Sequence, residues 1–159
     1  MTADQPVEVH LLQLPVRLAE KSRQHFEGLM REFALIAAST EGSHHTPARL
    51  TELVDALTVQ FAGVNTEADE QLEDAIEAGR DVIEDHVLRL PAEAGPASAA
   101  LGAMMDEADV YCRQGQHLLT LATPADCLAY RSWYLGQVIN QLAGEPPIAW
   151  PDSEQARLP

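Results

Sequence analysis

Apolar and polar positions follow two periods along this chain. Residues 7–14, Val-Glu-Val-His-Leu-Leu-Gln-Leu, combine β-branched residues with partial alternation and predict a short strand ended by Pro15. The period then lengthens. Leu18, Phe26, Leu29, Phe33 and Ile36 fall on one stripe of a helix over 16–38. Glu41-Gly-Ser-His-His reads as a loop. Thr46-Pro47 reads as an N-cap followed by proline at the first helical position, where a missing N–H costs nothing. Leu50, Leu53, Val54, Leu57 and Phe61 line that second helix, with Gly63 as its stop. Thr66 opens a third helix with Leu72, Ala75, Ile76 and Gly79 facing inward, and Gly79 is a natural end. Residues 82–90, Val-Ile-Glu-Asp-His-Val-Leu-Arg-Leu, predict a second strand in preference to a continued helix, and Pro91 stops either. Pro96 begins a fourth helix with Leu101, Met104, Met105, Ala108 and Cys112. Thr123-Pro124 repeats the cap signal for a fifth, which carries Leu128, Leu135, Val138, Ile139 and Leu142 and ends at Gly144. Glu145-Pro-Pro-Ile-Ala-Trp-Pro is incompatible with helix and predicts an extended surface segment.

The two strand segments echo each other. Glu8-Val-His-Leu-Leu-Gln-Leu-Pro15 aligns with Glu84-Asp-His-Val-Leu-Arg-Leu-Pro91 at an offset of 76, with five identities. Phe26, Leu29 and Met30 fall on Leu101, Met104 and Met105. Thr46-Pro47-Ala48 falls on Thr123-Pro124-Ala125, and Phe61-Ala-Gly63 on Leu142-Ala-Gly144. The fold expected is mainly α, five helices plus two short strands, in one domain over 1–159. It reads as a duplicated strand–helix–helix unit with pseudo-two-fold symmetry, repeats 7–63 and 83–144, an acidic helix 66–79 between them and a Pro-rich tail 145–159. A plain helical bundle is the alternative. Because a lone strand leaves its backbone groups unpaired, the two strands are expected to pair antiparallel with each other. Period-two alternation then predicts His10, Leu12 and Leu14 on one face with His86, Leu88 and Leu90, the leucines buried beneath the helices. Pairing between two protomers, which makes a homodimer, is the rival.

Charge narrows the partners. Of 159 residues, 25 are acidic and 10 basic, a net charge of −15. Such a surface repels nucleic acid and anionic lipid, so neither is expected as a partner. The bases are nine Arg and the single Lys21, which with Ala-rich helices suggests a GC-rich bacterial source. No leader is read at the N-terminus, no 18-residue apolar run occurs, and Cys112 and Cys127 form no disulfide framework. The expectation is a cytoplasmic protein with reduced thiols. The acids concentrate between 67 and 85, where nine occur beside only Arg80. Glu70/Asp74 and Glu73/Glu77 are repulsive i,i+4 pairs, tolerated for solubility or to meet a basic surface. Glu67, Asp69, Glu70, Glu73, Asp74 and Glu77 are therefore candidate docking residues. Trp133, on a different stripe from Leu128 and Leu135, is a candidate exposed anchor. The preferred reading, however, is that the late aromatic residues cover the Pro-rich tail, with Trp150 packing back.

Chemistry has no signature to stand on. Phosphate-binding glycine loops and nucleophile elbows are missing, and no cofactor is expected. His44, His45, Cys112 and His117 form a candidate metal-ligand set, but without His-x-x-x-His or Cys-x-x-Cys spacing, and adjacent loop histidines are usually solvated. The cysteines are expected as small packing residues.

At Arg31-Glu-Phe-Ala-Leu-Ile-Ala37, Asp106-Glu-Ala-Asp-Val-Tyr-Cys112, Leu119-Thr-Leu-Ala-Thr-Pro124, Arg131-Ser-Trp-Tyr-Leu135 and Pro146-Pro-Ile-Ala-Trp-Pro151 the chain resembles a family of small, uncharacterised actinobacterial proteins. That family is associated with loci for partner-switching stress signalling: anti-sigma-factor kinases, their antagonists and resetting phosphatases. The resemblance implies a signalling context and no activity. Together these readings favour a non-enzymatic regulatory or protein-interaction module that docks a basic protein partner through its acidic helix. The alternative is a small-ligand- or metal-binding helical protein, with an enzymatic role less favoured.

Overall fold

The structure is a computed structural model that describes residues 5–38, 52, 55, 66–113 and 123–157. Strands β1 (Val7–Pro15) and β2 (Val82–Leu90) pair antiparallel within the one chain, from Val7 opposite Leu90 to Pro15 opposite Val82. Four helices are seen among the described residues: α1 (Val16–Ala38), α2 (Thr66–Glu77), α3 (Ala94–Arg113) and α4 (Ala125–Leu142). Two 3-10 turns, Trp150–Asp152 and Gln155–Arg157, close the described chain. The class is mainly α with a small sheet. The helix expected at 47–63 lies outside the described residues, apart from Glu52 and Asp55, which are helical.

One face of the sheet is covered by helices. α4 lies along β1, α2 along β2, and α1 bridges α2 and α4, while α3 packs on α4. The α3–α4 contact is close at Gly102, where an added Cβ would sit 3.2 Å from Leu135 Cδ1. α2 turns into β2 through Gly79, whose φ of +70° is left-handed and suits glycine. At the β1–α1 junction the Val16 N–H donates to Asp81 O at 2.9 Å, which pins the strand ends together.

The covered face differs from the one predicted. Val9 and Leu11 are 0% exposed, whereas His10 and Leu12 are only half-buried. The cause is Gln13, whose φ of 55° breaks the alternation. Leu14 therefore joins Val9 and Leu11 on the inner face with Ile83, His86, Leu88 and Leu90. Of the leucines expected beneath the helices, Leu14, Leu88 and Leu90 are buried and Leu12 is not. His10 and His86 lie on opposite faces, so the echoed imidazoles do not meet. A two-fold axis normal to a sheet keeps each residue on its own face. At the offset of 76 Leu14 and Leu90 share the inner face, whereas Val9 and Leu11 correspond in face to His86 and Leu88, an offset of 77. On the outer face His10 Nδ1 lies 2.9 Å from Asp85 Oδ1, and Arg89 pairs with Glu8 at 3.6 Å.

Two glutamines of α4 organise the free edge of β1 and the tail. Gln141 Oε1 accepts the His10 N–H and its Nε2 donates to His10 O, both at 2.8 Å. The same Nε2 donates to Gln137 Oε1 at 2.9 Å, and that oxygen also accepts the Ile148 N–H at 2.9 Å. The neighbouring Trp133 indole N–H donates to Ile148 O at 2.9 Å. Both backbone groups of Ile148 are thus held by α4 side chains, and residues 145–149 run without helix or strand, as the prolines require.

Candidate functional site: a cavity at the centre of the fold

A cavity of about 350 Å³ lies where the two strands and the four described helices meet. β1 supplies Leu14 and β2 supplies His86 and Leu88. α1 supplies Ala19, Ser22, Arg23, His25 and Phe26, while α2 supplies Asp69 and Leu72. α3 contributes Leu101 and Met105, and α4 contributes Cys127, Tyr130, Arg131, Tyr134 and Leu135, beside Thr123 ahead of it. The wall is mainly apolar with a few polar groups, the usual make-up of a small-molecule site.

The polar groups are ordered by a buried network. Asp109, 2% exposed, accepts Arg131 Nη2 at 2.7 Å, the Thr123 N–H at 3.3 Å and the Thr123 hydroxyl. Arg131 also donates to the exposed Asp106 at 2.9 Å. The Thr123 oxygen lies 3.1 Å from His25 Nε2. A hydroxyl has one proton, and here Asp109 takes it. His25 therefore donates through Nε2–H, and in the neutral ring Nδ1 carries a lone pair. Burial lowers the His25 pKa below its ordinary value, partly offset by Asp109 and assisted by Arg131. His86 repeats the arrangement. Its Nδ1 lies 3.0 Å from Gln71 Oε1, an acceptor, so Nδ1 holds the proton and Nε2 the lone pair. Burial likewise lowers its pKa, against the pull of Asp69 and Asp85.

This geometry does not make a nucleophilic triad. In a triad the imidazole lies between carboxylate and hydroxyl and takes the hydroxyl's proton. Here the hydroxyl lies between, pointing its proton at Asp109. Cys127 is 2% exposed and burial raises its pKa, so it is a packing residue and not a poised thiolate. Tyr134 is pushed up to about 12 and Tyr130 higher still, chiefly by burial, so both stay protonated.

The residues singled out in the sequence fall elsewhere. Glu67, Asp69, Glu70, Glu73, Asp74 and Glu77 are all exposed on α2, and Arg23 lies 3.9 Å from Glu73. Only Asp69 also reaches the cavity wall. Trp133 is not a surface anchor: it is 1% exposed, its N–H is taken by Ile148 O, and its ring packs edge-on to Trp150 with centroids 5.5 Å apart. Its role is to hold the tail. His44, His45 and His117, and the Cys112 side chain, lie outside the described residues. Among the described residues, no group of three His, Cys, Asp or Glu side chains is placed to hold a metal ion. No described helix is long and apolar enough to cross a membrane. The Thr123-Pro124 cap signal is also corrected: Pro124 is the N-cap of α4 without a side-chain bond, because the Thr123 hydroxyl is committed to Asp109.

Of the cavity residues, His86 was expected on the covered face of β2, while His25, Asp109 and the role of Thr123 escaped sequence reasoning. Their one local signal was Thr123-Pro124, which reads as a cap. Comparisons of the chain with models of known families, with curated proteins and with solved structures find no match.

Proposed function

We propose that the chain is a small-ligand-binding helical protein, and that its action is non-enzymatic and regulatory. The observation that carries this reading is the cavity of about 350 Å³, walled by apolar side chains from both strands and the four described helices and fitted with two oriented imidazoles. A fold of this size that served packing alone would bring its helices together there, since protein interiors are normally close-packed. Calorimetric titration with naphthalene tests it. Saturable binding at one site is expected, and Leu101→Trp, which fills the wall, is expected to abolish it. Absence of saturable binding by the native chain overturns the reading.

A second reading is supported by α2. Its acids face outward together while Leu72, Ala75 and Ile76 face the fold, which suits docking on a basic protein surface. The resemblance to proteins of partner-switching loci points the same way, and a ligand in the cavity would touch the inner side of the docking helix. The test is charge reversal, Glu70→Lys with Glu73→Lys. A partner captured from the native host by the unaltered chain must be lost by the variant; retention removes the reading.

A further inference from the structure

We propose that the cavity selects a small apolar molecule bearing a hydrogen-bond donor, a hydroxyl or an amine, and discriminates against anions. This rests on the ligand-binding reading and adds the chemistry of the ligand. The cavity's charged donors are turned to carboxylates: Arg131 Nη2 donates to Asp106 and Asp109, and Arg23 lies 3.9 Å from Glu73, while the Thr123 hydroxyl donates to Asp109. The hydroxyls of Ser22, Tyr130 and Tyr134, which also line the cavity, can both donate and accept, so they leave the balance unchanged. Two oriented groups remain that can only accept. His25 presents Nδ1 and His86 presents Nε2, because their other nitrogens donate to Thr123 and Gln71. Neither of these second nitrogens has a hydrogen-bond partner among the described residues. Asp69 adds a carboxylate to the same wall, near enough to His86 to act on its charge. A ligand bringing an O–H or N–H satisfies these groups. A ligand bringing a carboxylate or phosphate meets lone pairs and the charge of Asp69, and the two arginines of the wall already face carboxylates, Arg131 those of Asp106 and Asp109 and Arg23 that of Glu73.

The tautomers are what make the preference specific. An imidazole free to choose serves donor or acceptor ligands equally. Here Asp109 removes the choice at His25 by claiming the Thr123 proton, and the Gln71 carbonyl removes it at His86.

The experiment is calorimetric titration of the full chain at neutral pH with naphthalene, 2-methoxynaphthalene, 2-naphthol and 2-naphthoate. 2-Naphthol is expected to bind about tenfold tighter than 2-methoxynaphthalene, the usual net worth of one hydrogen bond, with 2-naphthoate weakest. His25→Leu or His86→Leu is expected to remove that advantage while naphthalene still binds. Nitrogen-15 spectra of the native chain give a readout independent of any variant. They should show His25 protonated at Nε2 and His86 at Nδ1, and one unprotonated nitrogen should move on addition of 2-naphthol but not of naphthalene. Equal affinity for 2-naphthol and 2-methoxynaphthalene, or tightest binding of 2-naphthoate, overturns the donor preference and leaves the cavity reading standing. Failure of all four to bind removes both.

Discussion

Gln13 decides which side of β1 faces the helices. Its φ of 55° is a conformation that side chains with a Cβ seldom adopt, and it breaks the alternation of the strand while the pairing register stays the same on either side. Without it, Leu14 would share a face with His10 and Leu12. With it, Val9, Leu11 and Leu14 all point inward, and His10 is left to pair with Asp85 on the outer side. The two adjacent leucines therefore differ sharply in what they contribute. Leu11→Ala removes a fully enclosed side chain and should cost about 2–5 kcal/mol. Leu12→Ala removes a half-buried one and should cost less than about 2 kcal/mol. Urea unfolding of the two variants checks this, and a larger loss at Leu12 would show that the inner face has been misassigned. Nothing in the letters around Gln13 announces the kink. Glycine or asparagine is the usual mark of a left-handed residue, and glutamine is not. The strand was legible and its face was not.

At the scale of elements, the limits were legible where the signal is local. Pro15 and Pro91 lie where the strands end, and Gly79 and Gly144, with φ of +70° and +96°, lie just past the ends of α2 and α4. A proline or glycine acts on the backbone within a residue or two, so its effect can be read without knowing what it packs against. The cavity is the opposite case. The Thr123 hydroxyl bonds a carboxylate 14 positions back and a histidine 98 positions back. His86 finds Gln71 across the α2–β2 turn. Read alone, Thr123 looks like a helix cap, because Ser and Thr before proline usually are. Its partners exist only once α1, α3 and α4 have come together. For Trp133 the sequence left two readings open, and the packing one holds. Its stripe differs from that of Leu128 and Leu135, which suggested exposure, but the stripe is covered by the chain's own tail through Ile148 and Trp150. An extended proline-rich segment carries no periodicity from which its docking face can be read. α2 combines both situations: its outer acids are plain in the sequence, while the role of Asp69 and Leu72 as cavity wall depends on β2 and α4.

For the molecule as a whole, the two cavity histidines tie stability to pH. Burial lowers both pKa values from the ordinary 6.5. Between that value and the lower folded ones, the unfolded chain binds more protons than the folded chain, so stability rises with pH across the window. The contribution is fully present above about pH 6.5 and is lost as pH falls through the folded values. Asp109 opposes the shift at His25 while Arg131 reinforces it, and Asp69 and Asp85 oppose it at His86; burial outweighs them in both places. The net charge of −15 acts with the opposite sign, because taking up protons relieves repulsion among the acids. That relief belongs mainly to carboxylates with ordinary values near 4, so the histidine window lies above it. Urea unfolding at pH 7.5 and 5.5 should therefore show the native chain losing stability on acidification. A His25→Leu, His86→Leu double variant, which has no ring to protonate at either place, should lose less. Equal pH dependence in the two chains would mean that the rings are as ready to take a proton in the fold as in the unfolded chain. Two imidazoles that protonate so readily would not remain the fixed acceptors that the cavity presents.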